Sequence, residues 1–244
     1  MQGYILKIAY KGTAYCGWQV QPNKTTVQAV LQAAIESAFG VKTELTGCSR
    51  TDSGVHARGF VALVSGNLPN VSEESFALAV NTKLPQDIAV LEARPAPDSF
   101  HPRYDAKGKE YVYVIHNSRI RDPFSEETSW HFPRYIDIEK ANKLCAEFVG
   151  KQDFKAFMAA GSKITDTLRE VKYFNAVREG DKVIFTVAAD GFLYNMVRIM
   201  VGTVAEAASG TNIMPIKEII ASRERKNAGT TAAAKGLTLN KVFY

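Results

Sequence analysis

The 244-residue sequence predicts an α+β protein built from two successive α+β units, residues 1–104 and 105–244. Three observations carry that reading. Apolar and polar residues alternate along residues 4–10, as in a half-buried strand, and then apolar residues recur at helical spacing over 26–39. A loop holding Pro95, Pro97 and Pro102 interrupts the chain near its middle. After it the strand-then-helix pattern restarts at Gly108 without detectable sequence repetition, which predicts a pseudo-duplicated architecture with a cleft between the halves.

In the first half, residues 11–24 form a glycine-containing loop with Tyr15, Trp18 and Gln19. Thr25 stands where it can cap the helix 26–39, whose stripe is Val27, Val30, Leu31, Ala34, Ile35 and Ala38. A loop of small residues follows at 47–59, and residues 60–65 form a second strand. Ser72, Glu73 and Glu74 suit the positive end of a helix running through Val80, and 87–94 is a third strand. In the second half, Gly108–His116 alternates as a strand, with Tyr111 and Tyr113 on one face and Val112 and Val114 on the other. Residues 136–149 are helical, and 167–177 pairs with 182–189 as a hairpin across Glu179-Gly180. Residues 193–208 form a long helix, Pro215 opens a short one, and 236–244 closes the chain as a strand. The order of strands does not follow from these signals.

Composition narrows the function classes. Hydrophobic residues make up 46% of the chain, enough for a core and too many for a disordered protein. Lys plus Arg exceed Asp plus Glu by 30 to 25, a net charge of +5 that permits a polyanionic partner. No apolar run approaches the length of a membrane span, and residues 1–10 are too short and too alternating for a signal peptide, so a cytosolic protein is expected. Cys16, Cys48 and Cys145 are odd in number and widely spaced, and His56, His101, His116 and His131 show no ligand spacing with them. Neither a structural disulfide nor zinc is expected, which also removes zinc-dependent deamination.

The candidate chemistry centres on the loop 47–59. Asp52 is its only acid, Arg50 and Arg58 flank it, Thr51 and Ser53 offer hydroxyls, and Gly47, Gly54 and Gly59 allow a close-fitting backbone. An acid held among cations and donors stays ionised and suits a nucleophile or base. The same residues also read as an ordinary polar turn. Residues 100–111 interleave cations with aromatic rings, a pattern that suits phosphates and unstacked bases. Arg198 enters an otherwise apolar helix four residues after Tyr194, and it either needs a site partner, snorkels to solvent or bridges to a structural acid. Tyr111 taken alone reads as core packing with its hydroxyl at the rim. Residues 222–235 are basic and rich in glycine and threonine, and as a solvated surface they need no function.

Together these segments resemble the tRNA pseudouridine synthases of the TruA type. The resemblance rests on Arg50-Thr51-Asp52-Ser53-Gly54-Val55-His56-Ala57, on Phe100-His101 with Lys109-Glu110-Tyr111-Val112-Tyr113, and on Phe192-Leu193-Tyr194-Asn195-Met196-Val197-Arg198-Ile199-Met200-Val201-Gly202. Gly229-Thr230-Thr231-Ala232-Ala233-Ala234-Lys235-Gly236-Leu237 is similar to that family's carboxy-terminal signature. Thr13-Ala14-Tyr15-Cys16-Gly17-Trp18-Gln19, with Gln28, is similar to its amino-terminal segment. Ser49 stands where the family commonly has glycine, and alanines stand where its tail motif has proline, so local loop shape is where a difference is expected.

The resemblance implies two ferredoxin-like α+β halves around a basic central cleft, a pseudouridine synthase fold without cofactor or metal. It implies isomerisation of uridine to pseudouridine in the anticodon stem-loop of tRNA, at positions 38, 39 and 40, by a homodimer. Asp52 matches the catalytic nucleophile, Tyr111 the tyrosine that stacks on the target base, and Arg198 the arginine that pairs with the aspartate. Arg50, Arg58, His56 and Lys109 are then the candidate RNA contacts. Two other classes compete: an RNA-binding or chaperone protein that has lost catalysis, and an N-glycosidic hydrolase. The first is disfavoured because Asp52 and its matched partners are all present. The second is disfavoured because no second acid is evidently placed to activate water.

Overall fold

The computed structural model describes residues 3–162 and 164–244. The chain divides into two compact units, one comprising the residues up to Lys107 with Leu239–Tyr244, the other Gly108–Thr238.

In the first unit, β1 (Tyr4–Tyr10), α1 (Val27–Phe39), β2 (Thr43–Gly47), β3 (His56–Gly66), α2 (Glu73–Asn81) and β4 (Ile88–Pro95) follow one another. The strands lie in the order β4-β1-β3-β2 with every pair antiparallel, the ferredoxin-like arrangement. The two helices meet over the sheet: the Phe39 and Phe76 rings are 4.7 Å apart, and Phe76 stacks on Tyr4 of β1 at 4.3 Å. Leu6, Ile8, Phe60, Ala62 and Val64 supply the apolar sheet face and are fully buried. β10 (Leu237–Phe243) lies beside β3, and Gly59 permits that approach, since a Cβ there would stand 2.6 Å from the Asn240 carbonyl oxygen.

Sequence and structure differ here in three places. The cap of α1 is Thr26, whose hydroxyl accepts from the Ala29 amide at 3.4 Å, and Gly40 at φ 69° ends the helix. β2 escapes periodicity because Leu45 is its only large apolar residue and its buried partner is Thr43. β3 starts at His56, ahead of the expected Phe60. Pairing of Ala57 with Tyr10, past an irregularity between Ile8 and Tyr10, extends it through residues with little strand preference of their own.

The second unit holds β5 (Gly108–His116), β6 (Trp130–His131), α3 (Ile138–Ala146), β7 (Gly150–Asp153), β8 (Leu168–Glu179), β9 (Lys182–Ala189), α4 (Met196–Ala208) and α5 (Ile216–Ser222). The sheet order is β5-β9-β8-β7, with β6 on β5. Asp137 caps α3, accepting from the Lys140 amide at 3.0 Å. Glu179 pairs with Lys182, so the hairpin turns on Gly180-Asp181, one residue beyond the expected Glu179-Gly180, with Gly180 at φ 57°. Phe148, Phe154, Phe157 and Phe185 are fully buried, and α4 is buried along most of its length. That helix begins at Met196, three residues later than expected, because Asn195 sits in the left-handed region at φ 60°. Tyr194 therefore precedes the helix and shares no helical face with Arg198. Among the described residues, no helix is long and apolar enough to cross a membrane.

Candidate active site

The aspartate loop is held from behind by the segment that precedes α1. The Trp18 amide donates to the Thr51 carbonyl at 3.1 Å, and the Tyr10 and Thr51 hydroxyls are 2.8 Å apart in a buried position. The Ser53 hydroxyl and the Gly54 amide donate to the Tyr15 carbonyl at 3.1 and 3.4 Å. The Gly12 amide donates to His56 Nδ1 at 3.0 Å, which leaves Nε2 as the protonated nitrogen of a neutral ring. His56, 5% exposed, thus supports the loop from inside.

Two glycines make this contact sterically feasible. A Cβ on Gly12 would sit 2.0 Å from the Val55 carbonyl oxygen, and one on Gly17, already at φ 83°, would sit 2.5 Å from that of Thr51. The Trp18 ring stacks on Phe60 at 4.0 Å, tying the brace to β3. The Tyr15 hydroxyl donates to the Asp87 carboxylate at 2.7 Å; burial first, then that bond and the carboxylate's charge, push its phenol up, so Tyr15 remains a donor.

Asp52 itself is half-buried in a turn whose Val55 amide donates to the Asp52 carbonyl at 3.1 Å, with Gly54 at φ 78°. The polar-turn reading is therefore correct for the backbone. What the sequence did not disclose is that the turn is clamped on one side, which fixes where its carboxylate is presented. Each clamping hydrogen bond contributes about 1 kcal/mol net. Arg50 and Arg58, on either side of Asp52 in the chain, are exposed.

In the second unit, Tyr111 lies on β5 opposite Val187, 7% exposed, its ring meeting Phe192 edge-on at 5.2 Å and 90°. Lys109 is half-buried on the same strand. Arg198 is in the first turn of α4. Its Nε donates to the Ala232 carbonyl at 2.8 Å and its Nη1 to the Asn195 side-chain oxygen at 2.7 Å. Two directed bonds fix the plane of a guanidinium, which a single ion pair would not.

The strap that supplies Ala232 departs from the solvated surface expected for residues 222–235: Ala232 is fully buried. The Ala232 amide donates back to the Arg198 carbonyl at 3.1 Å, the Gly229 amide to the Thr203 hydroxyl at 2.9 Å, and the Thr230 amide to the Glu206 carboxylate at 3.2 Å. The Tyr113 hydroxyl donates to the Ala233 carbonyl at 2.6 Å; burial pushes that phenol up more than the Arg198 charge lowers it. Asn195, Ala232 and the brace residues Tyr10, Gly12, Gly17 and Trp18 were not singled out as site residues by sequence reasoning. Glycines crowding an aspartate loop were the available signal for the brace, and an Asn at a helix start was the signal for Asn195. Among the described residues, no three His, Cys, Asp or Glu side chains gather as a metal-binding group.

The model of a protein family, tRNA pseudouridine synthase, matches residues 7–105 and 144–244. The chain is 42% identical to tRNA pseudouridine synthase A of Clostridium kluyveri over 247 aligned positions, covering 100% of both chains. It is 40% identical to tRNA pseudouridine synthase A 2 of Clostridium perfringens, again over 100% of both. It is 42% identical to tRNA pseudouridine synthase A of Citrifermentans bemidjiense, covering 100% of this chain and 98% of that one. Among solved structures, a chain of the Cbf5-Nop10-Gar1 complex superposes with a TM-score of 0.43 at 15% identity, over 97% of this chain and 58% of that chain. The protein is an isomerase with an α+β pseudouridine synthase fold. It belongs to the tRNA pseudouridine synthase family, of the TruA type, and its reaction is pseudouridine formation in tRNA.

Proposed function

We propose that this chain isomerises uridine to pseudouridine in the anticodon stem-loop, at tRNA positions 38, 39 and 40, with Asp52 as the nucleophile. The observation that carries the proposal is the clamped aspartate turn, with Thr51 bonded on both its carbonyl and its hydroxyl, so that the adjacent carboxylate is presented by a rigid support. The reaction breaks the glycosidic bond at N1, turns the ring, rejoins it to the ribose through C5 and releases the C5 proton, with no net redox change or hydrolysis. A carboxylate nucleophile needs no cofactor or metal for this. Tyr111, locked by Phe192, stacks on the freed ring and excludes water. Arg198, its plane set by Ala232 and Asn195, orients the aspartate.

On this reading the first half, residues 1–104, carries the aspartate loop, and the second, 105–244, carries Tyr111 and Arg198. Arg50, Arg58 and Lys109 meet phosphates along a basic cleft, and His56 supports that face of the loop. Extrusion of the target base costs a few kcal/mol, which phosphate contacts and stacking offset. The enzyme works as a cytoplasmic homodimer holding one anticodon arm across both subunits.

Incubating the purified protein with anticodon-arm transcripts and mapping pseudouridine by carbodiimide-dependent primer stops tests reaction and position together. Stops at 38, 39 or 40 are expected. Stops elsewhere would overturn the regional assignment, and free uracil with an abasic product would reveal a hydrolase.

Arg198→Lys keeps the charge but cannot satisfy both Ala232 and Asn195 while holding a plane. Its turnover is expected to fall by about 10- to 100-fold, the scale of one or two charge-assisted hydrogen bonds. Wild-type turnover in this variant would remove Arg198 from the proposed machinery.

A further inference from the structure

The loop after β4 presents an aromatic ring that the fold scarcely uses. Tyr104 is 76% exposed, yet the turn beneath it is fully built. The His101 amide donates to the Asp105 carboxylate at 2.9 Å, and the Asp105 amide returns to the His101 carbonyl at 3.1 Å. The Arg103 and Tyr104 amides both donate to His101 Nδ1 at 3.2 Å. The His101 ring then lies against the Tyr104 ring, with centroids 4.2 Å apart.

The turn is also anchored to the end of the chain. The Tyr244 hydroxyl donates to the Pro102 carbonyl at 2.8 Å, Phe100 packs on the Tyr244 ring at 5.2 Å, and the Lys107 amide donates to the Phe243 carbonyl at 2.8 Å. A ring carried on a turn held this firmly, and left this open, contributes little to the core. The Arg103 guanidinium carbon stands 6.0 Å from the Tyr104 ring centre, at the outer reach of a cation–π contact, and Lys107 follows in the same exposed stretch. Flat aromatic surface beside cations complements an unpaired nucleotide, whose base stacks while its phosphate meets the guanidinium. Rigidity matters because a pre-ordered ring loses little freedom on binding.

We propose that Tyr104, backed by His101 and Arg103, is a stacking platform for an unpaired nucleotide of the substrate tRNA, outside the residues assigned to the chemistry. The inference rests on the tRNA-modifying reading above and adds a substrate contact to it. Tyr104 is a binding residue and takes no part in bond making.

The test uses the full-length protein and an unmodified tRNA transcript, reading the dissociation constant by fluorescence anisotropy and KM and kcat by tritium release from C5-labelled uridine. Tyr104→Ala is expected to raise both the dissociation constant and KM by about 5- to 100-fold, the span of one base–aromatic stack, with kcat nearly unchanged. Tyr104→Trp is expected to keep wild-type binding, and Tyr104→Leu to behave as the alanine variant. Wild-type affinity in Tyr104→Ala, or equal behaviour of the leucine and tryptophan variants, would overturn the platform. So would a loss of binding accompanied by a changed oligomeric state in size exclusion, which would mark Tyr104 as a protein–protein contact. If the wild-type protein binds tRNA without releasing tritium, the catalytic reading fails, while the anisotropy measurements still decide the role of Tyr104.

Discussion

Asp52→Asn is expected to abolish tritium release from C5-labelled uridine while leaving tRNA binding near that of the wild type. The substitution keeps the size and hydrogen-bonding shape of the side chain. The turn around it is set by backbone bonds that survive it: Val55 amide to Asp52 carbonyl at 3.1 Å, and Trp18 amide to Thr51 carbonyl at 3.1 Å. What is lost is the carboxylate, and an amide is no nucleophile at neutral pH. Asp52→Ala should be equally inactive. The expected drop is at least about 10³-fold in kcat, since a nucleophile differs from an orienting group in having no substitute within the site. Retention of activity in either variant would sink the assignment of Asp52. Loss of tRNA binding along with activity would instead indicate that the residue serves the loop.

Gly202→Ala is the structural change with the largest expected effect. In an isolated helix it would be favourable, by roughly 1 kcal/mol. Here a Cβ on Gly202 would stand 1.8 Å from the Thr230 carbonyl oxygen, a backbone atom that cannot rotate away. The strap it would displace carries both Ala232 bonds to Arg198, along with the Gly229 and Thr230 bonds to α4. Overpacking against backbone costs about 3 kcal/mol or more, at the upper end of core overpacking, which for a chain of this length lowers Tm by roughly 6–12 °C. Turnover should fall with it, because the Arg198 guanidinium loses its Ala232 anchor. A thermal or urea melt checks the first effect and tritium release the second. A Tm at or above wild type would mean that the strap yields freely and does not position Arg198.

Much of the secondary structure was legible because its causes are local. The alternation of β1 and β5, the stripe of α1, and Ser72 ahead of α2 can each be read within a dozen residues. The elements that were missed owe their form to partners distant in sequence. β2 has one large apolar side chain and exists because β3 pairs with it from Thr43–Gly66 to Gly47–Ala62. The early start of β3 depends on Tyr10. The start of α4 moved because Asn195 adopts a left-handed conformation and its side-chain oxygen accepts from a helix residue, Arg198, a combination no propensity scale encodes.

By itself, then, the sequence determined the α+β class, the placement of most elements and the candidate chemical groups: an acid among small residues, a tyrosine on an alternating strand, an arginine in an apolar helix. These are properties of residue type and spacing, and neighbours along the chain suffice to reveal them. Only the tertiary structure decided how the groups are held. It made the loop after β1 a brace for Asp52 through Gly12, Gly17 and Trp18, and it turned residues 229–233 from apparent surface into the strap that aims Arg198. Both depend on backbone passing within a few ångströms of backbone from a remote part of the chain. The glycines that allow such contacts are visible in sequence, but the partners they admit are not.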